Sequence, residues 1–280
     1  MDLEPSLVRD AIARFVQEDV GRGDVTTSAV VPVDARGTAR IEARVDFVIA
    51  GLEVAASCFE YVGPGTVGWT PLLPDGNRAL AGDVLARLEG SLHTILTGER
   101  TALNLLGRLS GVATMTRSFV DAIQGTPARI VDTRKTTPGL RLLEKYAVRV
   151  GGGHNHRFGL DDGILIKDNH VRAAGGVGEA VTRARNAAPH GLVVEVEVTD
   201  LSELEEALAA GADAVLLDNM TPEMVREAVT RAGGKALLEA SGGVTLDNVR
   251  AYAEAGVDLI SVGALTHSAP TADVSLEVED

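Results

Sequence analysis

The sequence predicts an α/β protein in which a mixed α+β unit precedes an incomplete TIM-like barrel. Polar residues recur late in the chain at intervals of 21, 21 and 22 residues, at Glu197, Asp218, Glu239 and Ser261. Short apolar runs precede these positions and helical segments follow most of them, which is typical of a parallel sheet built from βα repeats. Before residue 110 the apolar runs are separated by turns rich in Gly, Pro and Asp, which is typical of an antiparallel sheet.

The first 110 residues contain helical and strand-like segments in irregular order. Residues 7–20 have apolar side chains at helical spacing, and the glycines that follow predict a stop and then a loop at residues 26–27. Strand-like runs lie at residues 37–49 and 84–89. The sequence predicts one or two helices at residues 98–123, with leucines at positions 103, 106 and 109. These segments together indicate an α+β unit.

Seven apolar runs are the predicted strands of the barrel. They lie at residues 129–131, 147–150, 164–166, 193–198, 214–217, 236–238 and 259–262. The later runs are separated by helical segments at residues 178–188, 201–210, 221–232 and 246–255. In barrels of this kind, functional residues lie at the carboxyl ends of the strands.

Nearly every predicted strand is followed by charged or polar residues. In chain order these are Asp132, Arg134, Lys135, His154, His156, Arg157, Lys167, Asp168, Glu195, Glu197, Asp218, Glu239 and Ser241. A charge at one strand end is ordinary solvation. A succession of them favours a shared polar cavity.

The charge of the chain is unevenly distributed. The formal net charge is −14, so the protein as a whole repels nucleic acid and anionic membranes, and neither is a predicted partner. Residues 129–172 nevertheless carry nine Lys or Arg against five Asp or Glu, and they include three of the four lysines. This window predicts an anion-binding site.

The cations of this window differ in their expected surroundings. Arg141, Lys145 and Arg149 fall on a helical pattern, and we expect them to lie on its solvated surface. Other cations follow buried runs and need an anion, because a buried charge without a partner is costly; they are Arg134, Lys135 and Lys167. The nearby histidines are expected to donate to the same anion. Arg forks and Lys point charges together favour a polyanionic ligand.

Two further groups of residues complete the predicted site. Glu197 and Asp218 end successive strands, where they could hold Mg²⁺, bond sugar hydroxyls, act as acid and base, or simply pair with the cations. Glycine-bearing loops follow the last two strands, at 241–243 before a helix expected to begin at Thr245, and at 262–264. Glycine loops at helix starts favour phosphate binding, with an ordinary turn as the alternative.

Several classes of protein are disfavoured. No apolar stretch approaches the roughly 18 residues of a membrane span, and no secretory signal is visible, so we expect a cytoplasmic protein. The single Cys58 excludes an internal disulfide and a thiolate metal cluster. Residues 63–68 match G-x-G-x-x-G without the strand and helix that a dinucleotide site requires. His154 and His156 lack the further spaced histidine of a zinc site.

Motifs along nearly the whole chain resemble the signature segments of the quinolinate phosphoribosyltransferase family. They are GDVTT at 23–27, GERTALN at 98–104, DTRKT at 132–136, GGGHNHR at 151–157, IKDNH at 166–170, EVE at 195–197, LDN at 217–219, EASGG at 239–243 and VGALT at 262–266. The resemblance implies an N-terminal α/β sandwich domain at residues 1–110, to which residues 268–280 return. An open α/β barrel at residues 111–267 would follow.

The resemblance also implies a reaction. Quinolinate and phosphoribosyl pyrophosphate would react with Mg²⁺ as cofactor to give nicotinate mononucleotide, pyrophosphate and CO₂, a step of NAD biosynthesis. It would take place in a homodimer, or a higher even oligomer, in which Arg100 reaches the substrate of the neighbouring subunit. The proton donor after decarboxylation stays open between Lys135 and water.

The family's site residues map onto this sequence individually. The residues that would line the quinolinate pocket and pyrophosphate region are Thr133, Arg134, Lys135, His156, Arg157 and Lys167. Glu197 and Asp218 would address the ribose hydroxyls and Mg²⁺, directly or through water. The 5′-phosphate would be held by Ser241, Gly242, Gly243, Gly263 and Ala264. The implied catalytic residues are Lys135, Lys167, Glu197 and Asp218.

Other functions are also compatible with the residues. A class I aldolase could use Lys167 at a strand end as a Schiff-base amine. A related pyrophosphorylase of unclear substrate, found alongside molybdate transport, shares the implied fold. A non-catalytic metabolite-binding barrel would bind quinolinate without releasing CO₂ or pyrophosphate.

Overall fold

The computed structural model describes residues 5–279. Its helices are α1 (Pro5–Val20), α2 (Val25–Val30), α3 (Leu52–Val62), α4 (Leu92–Ala122), α5 (Arg141–Val150), α6 (Asp168–Ala174), α7 (Val177–Ala187), α8 (Leu201–Ala209), α9 (Pro222–Ala232), α10 (Val249–Ala255) and α11 (Ala264–His267). Its strands are β1 (Arg36–Ala43), β2 (Phe47–Val48), β3 (Val67–Pro71), β4 (Arg78–Ala79), β5 (Val84–Ser91), β6 (Arg129–Val131), β7 (Ile164–Ile166), β8 (Val194–Val198), β9 (Ala214–Asp218), β10 (Leu237–Ser241), β11 (Leu259–Ser261) and β12 (Val274–Glu279). None of the described helices is long and apolar enough to cross a membrane.

The chain forms two compact units. The first contains the described residues up to 117, residues 137–152 and the residues from 268 onward. The second contains residues 118–136 and 153–267. The domain boundary expected at residue 110 lies within α4, and residues 137–152, which were expected in the barrel, belong to the first unit.

The first unit is built on an antiparallel sheet in the order β12-β1-β5-β3. Along β1 the side chains of Ala39, Ile41 and Ala43 are buried, as expected of a strand with one face on the core. The terminal strand β12 pairs with β1 from Thr38 opposite Glu279 to Ala43 opposite Val274. The last described residues therefore belong to the sheet of the first unit.

Two local predictions for this unit are wrong. The loop expected at residues 26–27 is helical, because the Asp24 side chain caps α2 by accepting a hydrogen bond from the Thr27 N–H at 2.9 Å. The strand expected at residues 147–150 is the last part of α5. An apolar run of four residues does not distinguish a strand from a buried helical turn.

The expectation that Lys145 lies on a solvated surface is also wrong. Lys145 is buried in α5, as is its neighbour Glu144. The Glu144 carboxylate accepts hydrogen bonds from Arg108 Nη2 at 2.7 Å and from the Thr137 hydroxyl at 2.8 Å. A helix that packs on more than one side buries polar residues which the sequence alone places in solvent, and here they are paired.

The second unit is a six-stranded parallel sheet in the order β6-β11-β10-β9-β8-β7. The strands follow one another around the sheet as in a barrel, but in the described chain β6 and β7 do not pair with each other, which leaves the barrel open between them. A single bridge lies at this edge, where the His154 N–H donates to the Ile130 carbonyl at 2.8 Å. Six of the seven predicted strands are thus found in the residues that the structure describes.

The strands of this sheet deliver their carboxyl ends to one edge. Val194, Val196 and Val198 of β8 are buried, as are the first four residues of β9, which is typical of parallel strands covered on both faces. Ser241 pairs with Asp218 at the ends of β10 and β9. Polar residues that leave neighbouring strands are thereby brought side by side.

Candidate active site

A cavity of about 280 Å³ lies at the carboxyl ends of the strands of the second unit. It is lined by Thr133, Arg134, Lys135, His156, Arg157, Leu165, Lys167, Glu197, Leu216, Asp218, Glu239, Ser241 and Ser261. Nine residues of the site predicted from sequence are among them. Gly242, Gly243, Gly263 and Ala264 follow lining residues or strand ends along the chain, whereas Arg100 lies on α4 in the first unit.

Arg134 and Arg157 form a strongly basic part of the cavity wall. Burial, and then the charge of Arg134, lower the pKa of Arg157. Arg157 Nη1 donates to the Gly163 carbonyl at 2.9 Å, and its buried Nε has no hydrogen-bond partner among the described residues. Two guanidinium groups that repel each other in a pocket are stabilised by an anion that bridges them.

Lys135 is held at the cavity by its backbone. Its N–H donates to Thr133 Oγ1 at 3.0 Å, and its carbonyl accepts from Thr266 Oγ1 at 2.7 Å. A Cβ at Gly263 would lie 3.1 Å from the Lys135 Cδ atom. The glycine at this position therefore lets the aliphatic part of the lysine pass, a requirement of packing that adds to any role in phosphate binding.

The glycines after β10 do not lie at a helix start. Gly242 and Gly243 have positive φ angles of 88° and 61°, which favour glycine. The helix expected to begin at Thr245 begins at Val249, because residues 246–248 form a turn in which Asn248 Nδ2 donates to the Gly243 carbonyl at 2.9 Å. The helix start predicted at Thr245 is therefore wrong, whereas Gly263 does directly precede α11.

Lys167, Glu197 and Asp218 form a second charged group. Lys167 Nζ lies 3.7 Å from Glu197 Oε2. Burial raises the pKa of Glu197, the charge of Lys167 works against this, and the charge of Asp218 raises the pKa further. A cation beside Glu197 offsets its repulsion from Asp218.

This acidic pair fits a magnesium ion only in part. Carboxylate oxygens are the ligands that Mg²⁺ prefers, and the ion is usually bound by one or two of them together with substrate phosphates and water. Glu197 and Asp218 supply two such groups, but Lys167 already lies against Glu197. Coordination through water, or together with a substrate, suits this arrangement better than a closed site made of protein alone.

His156 belongs to a hydrogen-bond network that the sequence does not predict. Asp132 is fully buried and accepts hydrogen bonds from Asn155 Nδ2 at 2.6 Å and from the His156 N–H at 2.9 Å. The His156 Nδ1 atom accepts the Arg157 N–H at 2.7 Å, and Nε2 lies 3.0 Å from Glu195 Oε2. The ring proton is therefore on Nε2 and is donated to Glu195. The expectation that His156 donates to a bound anion is not supported.

Glu239 lies beside this network at the cavity wall. Its side chain is 1% exposed, and Oε2 lies 3.6 Å from His156 Nε2. Burial raises the pKa of Glu239 to about 7, and the charge of Glu195 contributes to the shift. The 21-residue repeat marked this position as a strand end, but its chemistry depends on burial that the repeat does not reveal.

Comparisons with known proteins assign the chain to a family. The profile of the N-terminal domain of quinolinate phosphoribosyl transferase matches residues 24–110, and that of the C-terminal domain matches residues 112–277. The chain belongs to the quinolinate phosphoribosyltransferase family. This confirms the resemblance inferred from the motifs, the α/β fold class and the phosphoribosyltransferase class of enzyme.

Individual relatives are similar to this chain over nearly its full length. The chain is 46% identical to the nicotinate-nucleotide pyrophosphorylase [carboxylating] of Mycobacterium leprae, with 99% of each chain covered. It is 45% identical to a probable enzyme of the same name from Synechocystis, with 99% of this chain and 94% of that one covered. The solved nicotinate-nucleotide pyrophosphorylase of Francisella tularensis superposes with a TM-score of 0.94 at 41% identity, covering 99% of this chain and 98% of that one.

Proposed function

We propose that this protein transfers the phosphoribosyl group of phosphoribosyl pyrophosphate to quinolinate, with loss of CO₂, to give nicotinate mononucleotide and pyrophosphate in NAD biosynthesis. The observation that carries the proposal is that basic and acidic groups line one cavity at the strand ends of the family's C-terminal domain. The family and its full-length relatives give the reaction type. The charges of the cavity suit both substrates, which are anions.

The basic group suits a dicarboxylate. Arg134 and Arg157 offer planar guanidinium forks, which bind carboxylates through two parallel hydrogen bonds. Lys135 adds a point charge at the same wall. Quinolinate has carboxylates on adjacent ring carbons, so neighbouring cations can hold both and fix the orientation of the ring nitrogen.

The acidic group suits the sugar at the moment of transfer. The pyridine nitrogen forms a bond to C1 of the ribose while the bond from C1 to the pyrophosphate oxygen breaks, and its electron pair leaves with pyrophosphate. Positive charge grows on the sugar, and the carboxylates of Glu197 and Asp218 stabilise it. Lys167, 3.7 Å from Glu197, is placed to neutralise the departing anion. Holding both reactants in one orientation contributes roughly 7 to 11 kcal/mol in favourable cases.

Glu197 and Asp218 would also hold Mg²⁺, together with pyrophosphate oxygens and water. When bound, the ion supplies positive charge to the leaving group. The 5′-phosphate would be bound by the Ser241 hydroxyl and the backbone N–H groups of Gly242, Gly243, Gly263 and Ala264. Ser241 lines the cavity, and positive φ angles at Gly242 and Gly243 turn the backbone after it.

The active unit would be a homodimer or a higher even oligomer. Arg100 lies on α4, and its side chain is 63% exposed. Its Nη2 atom lies 3.9 Å from Glu99 Oε1. An exposed guanidinium of this kind is available to a substrate bound by a neighbouring subunit. We also place the enzyme in the cytoplasm, which suits a protein whose one cysteine, Cys58, is free and buried.

The experiment that tests the proposal is product analysis by mass spectrometry. The purified protein is incubated with quinolinate, phosphoribosyl pyrophosphate and Mg²⁺, and we expect nicotinate mononucleotide to form only when both substrates are present. Treatment with borohydride and a carbonyl substrate should leave Lys167 without an adduct. Folded protein that binds quinolinate but forms no nucleotide would contradict the proposal and favour a metabolite-binding protein.

A further inference from the structure

Glu239 is a buried acid of the cavity that has no role in the proposed transfer of the phosphoribosyl group. It lies on β10 and lines the cavity, yet its side chain is 1% exposed. Within residues 5–279, neither of its carboxyl oxygens has a hydrogen-bond partner. Burying an ionised carboxylate without donors is expensive, so this environment favours the neutral acid.

The neighbours of Glu239 favour the same state. Glu195 accepts the Nε2–H of His156 at 3.0 Å, so the one proton that this ring offers to the cluster is not available to Glu239. Asp132 is occupied by donors of its own, from Asn155 and from the backbone of His156. The Ser261 hydroxyl lies near Glu239 and lowers its pKa, which opposes the effect of burial. This hydroxyl donates to the Ala240 carbonyl at 3.5 Å.

A metal ion is a poor explanation for this cluster. His156, Glu195 and Glu239 each place one potential ligand atom within 4.8 Å of the others. A histidine must present a nitrogen without a proton to a metal. Here Nδ1 accepts the Arg157 N–H, so the proton lies on Nε2, the nitrogen that faces the two carboxyl groups.

We propose that Glu239 is the general acid that protonates the pyridine ring carbon when CO₂ leaves. The inference rests on the proposed function and goes beyond it, because it assigns the decarboxylation step to a residue. The bond between the ring carbon and its carboxylate breaks, CO₂ departs, and the electron pair stays on the carbon beside the cationic nitrogen. As this bond breaks, the electron pair takes the proton of the Glu239 O–H group and forms the new C–H bond, so loss of the acid slows the release of CO₂ itself. Solvent returns a proton to the resulting carboxylate.

This assignment differs from the donors left open by the sequence. Lys135 is exposed, whereas Glu239 is enclosed and has no described acceptor for its proton. A carboxylic acid that is 1% exposed and whose pKa is raised to about 7 is suited to give a proton to the ring carbon.

The test compares two products in Glu239→Gln and in wild-type protein. Glutamine keeps the shape of the side chain but has no acidic proton to give. We expect the variant to keep releasing pyrophosphate, while its rate of CO₂ release becomes about 100-fold lower than its rate of pyrophosphate release, as for the loss of a general acid. The undecarboxylated mononucleotide should accumulate, and the ¹³C isotope effect on the departing carboxylate should rise. Glu227→Gln is the matched control, because Glu227 is an exposed residue paired with Arg231 on α9.

Each outcome bears on the proposal. The proposal would be overturned if the rates of pyrophosphate and CO₂ release fell together, because that result indicates a positioning role. A higher KM for quinolinate with equal rates of release of the two products would overturn it in the same way. If the glutamine variant does not fold, Glu239→Asp takes its place, with an expected lag of about 10-fold because the acid is withdrawn from the carbon. Equal release rates in that variant would also overturn it. Wild-type protein that releases neither product would instead refute the proposed function.

Discussion

Gly242 lies so close to Asn219 that no side chain fits between them. A Cβ at Gly242 would lie 2.3 Å from the Asn219 Oδ1 atom. Asn219 has a φ of 54°, and its Nδ2 atom donates to Asp218 Oδ2 at 2.8 Å. The glycine after β10 therefore allows the asparagine after β9 to orient a carboxylate of the cavity.

We expect Gly242→Ala to reduce activity by displacing Asn219 and with it Asp218. A misplacement of about 1 Å in a catalytic group can cost on the order of 100-fold in rate, which should appear in kcat/KM for phosphoribosyl pyrophosphate. Gly234→Ala is the control, because Gly234 has a φ of 77° and no atom near its Cβ position. Both variants should lose about 1 kcal/mol of stability from the positive φ. Equal activity in the two would contradict the role of Gly242.

The guanidinium of Arg157 should be essential in shape as well as in charge. Arg157→Lys keeps the charge but loses the planar fork, so we expect KM for quinolinate to rise about 10- to 100-fold. Arg149→Lys, an exposed change of the same kind on α5, should leave KM unaltered. Steady-state kinetics with quinolinate as the varied substrate distinguishes the two. An unchanged KM in Arg157→Lys would remove this residue from the quinolinate site.

The buried acid of Glu239 should make stability depend on pH. Its pKa is raised from 4.5 to about 7 in the folded protein, so the folded state binds more protons than the unfolded state in this interval. The free energy of unfolding should therefore fall as pH rises from about 4.5 to about 7, by up to about 3 kcal/mol. Denaturant titrations of wild-type protein and Glu239→Gln measure this. If the free energy of unfolding of Glu239→Gln depended on pH as that of wild type does, folding would not raise the pKa of Glu239.

A shared active site should allow complementation between inactive subunits. Arg100→Ala and Lys167→Ala are each expected to lose activity. A heterodimer of the two has one site with both changes and one with neither, so random exchange should restore about a quarter of wild-type activity. Confirmed heterodimers that stay inactive would show that Arg100 acts within its own subunit or not at all.

The repeating part of the fold could be predicted because its periodicity is local in sequence. Asp218 ends β9 and Glu197 lies one residue before the end of β8, as their spacing predicts, whereas Glu239 lies two residues before the end of β10. Their contribution to one cavity follows from the common direction of parallel strands.

Other features depend on packing that the sequence does not express. The run at 147–150 is apolar in either a strand or a helix, and only the burial of Glu144 and Lys145 shows that α5 packs on several sides. The tautomer of His156 depends on the backbone N–H of Arg157 and on Glu195, which lies 39 residues away in sequence. No spacing rule predicts such a contact.

The most direct test of the account follows the two carboxylates of quinolinate separately. Quinolinate labelled with ¹³C in the 2-carboxylate or in the 3-carboxylate is incubated with the protein, Mg²⁺ and phosphoribosyl pyrophosphate. We predict labelled CO₂ only from the 2-carboxylate, only with phosphoribosyl pyrophosphate present, and in equal amount to pyrophosphate. Label released from the 3-carboxylate, or CO₂ formed without phosphoribosyl pyrophosphate, would contradict the proposed reaction.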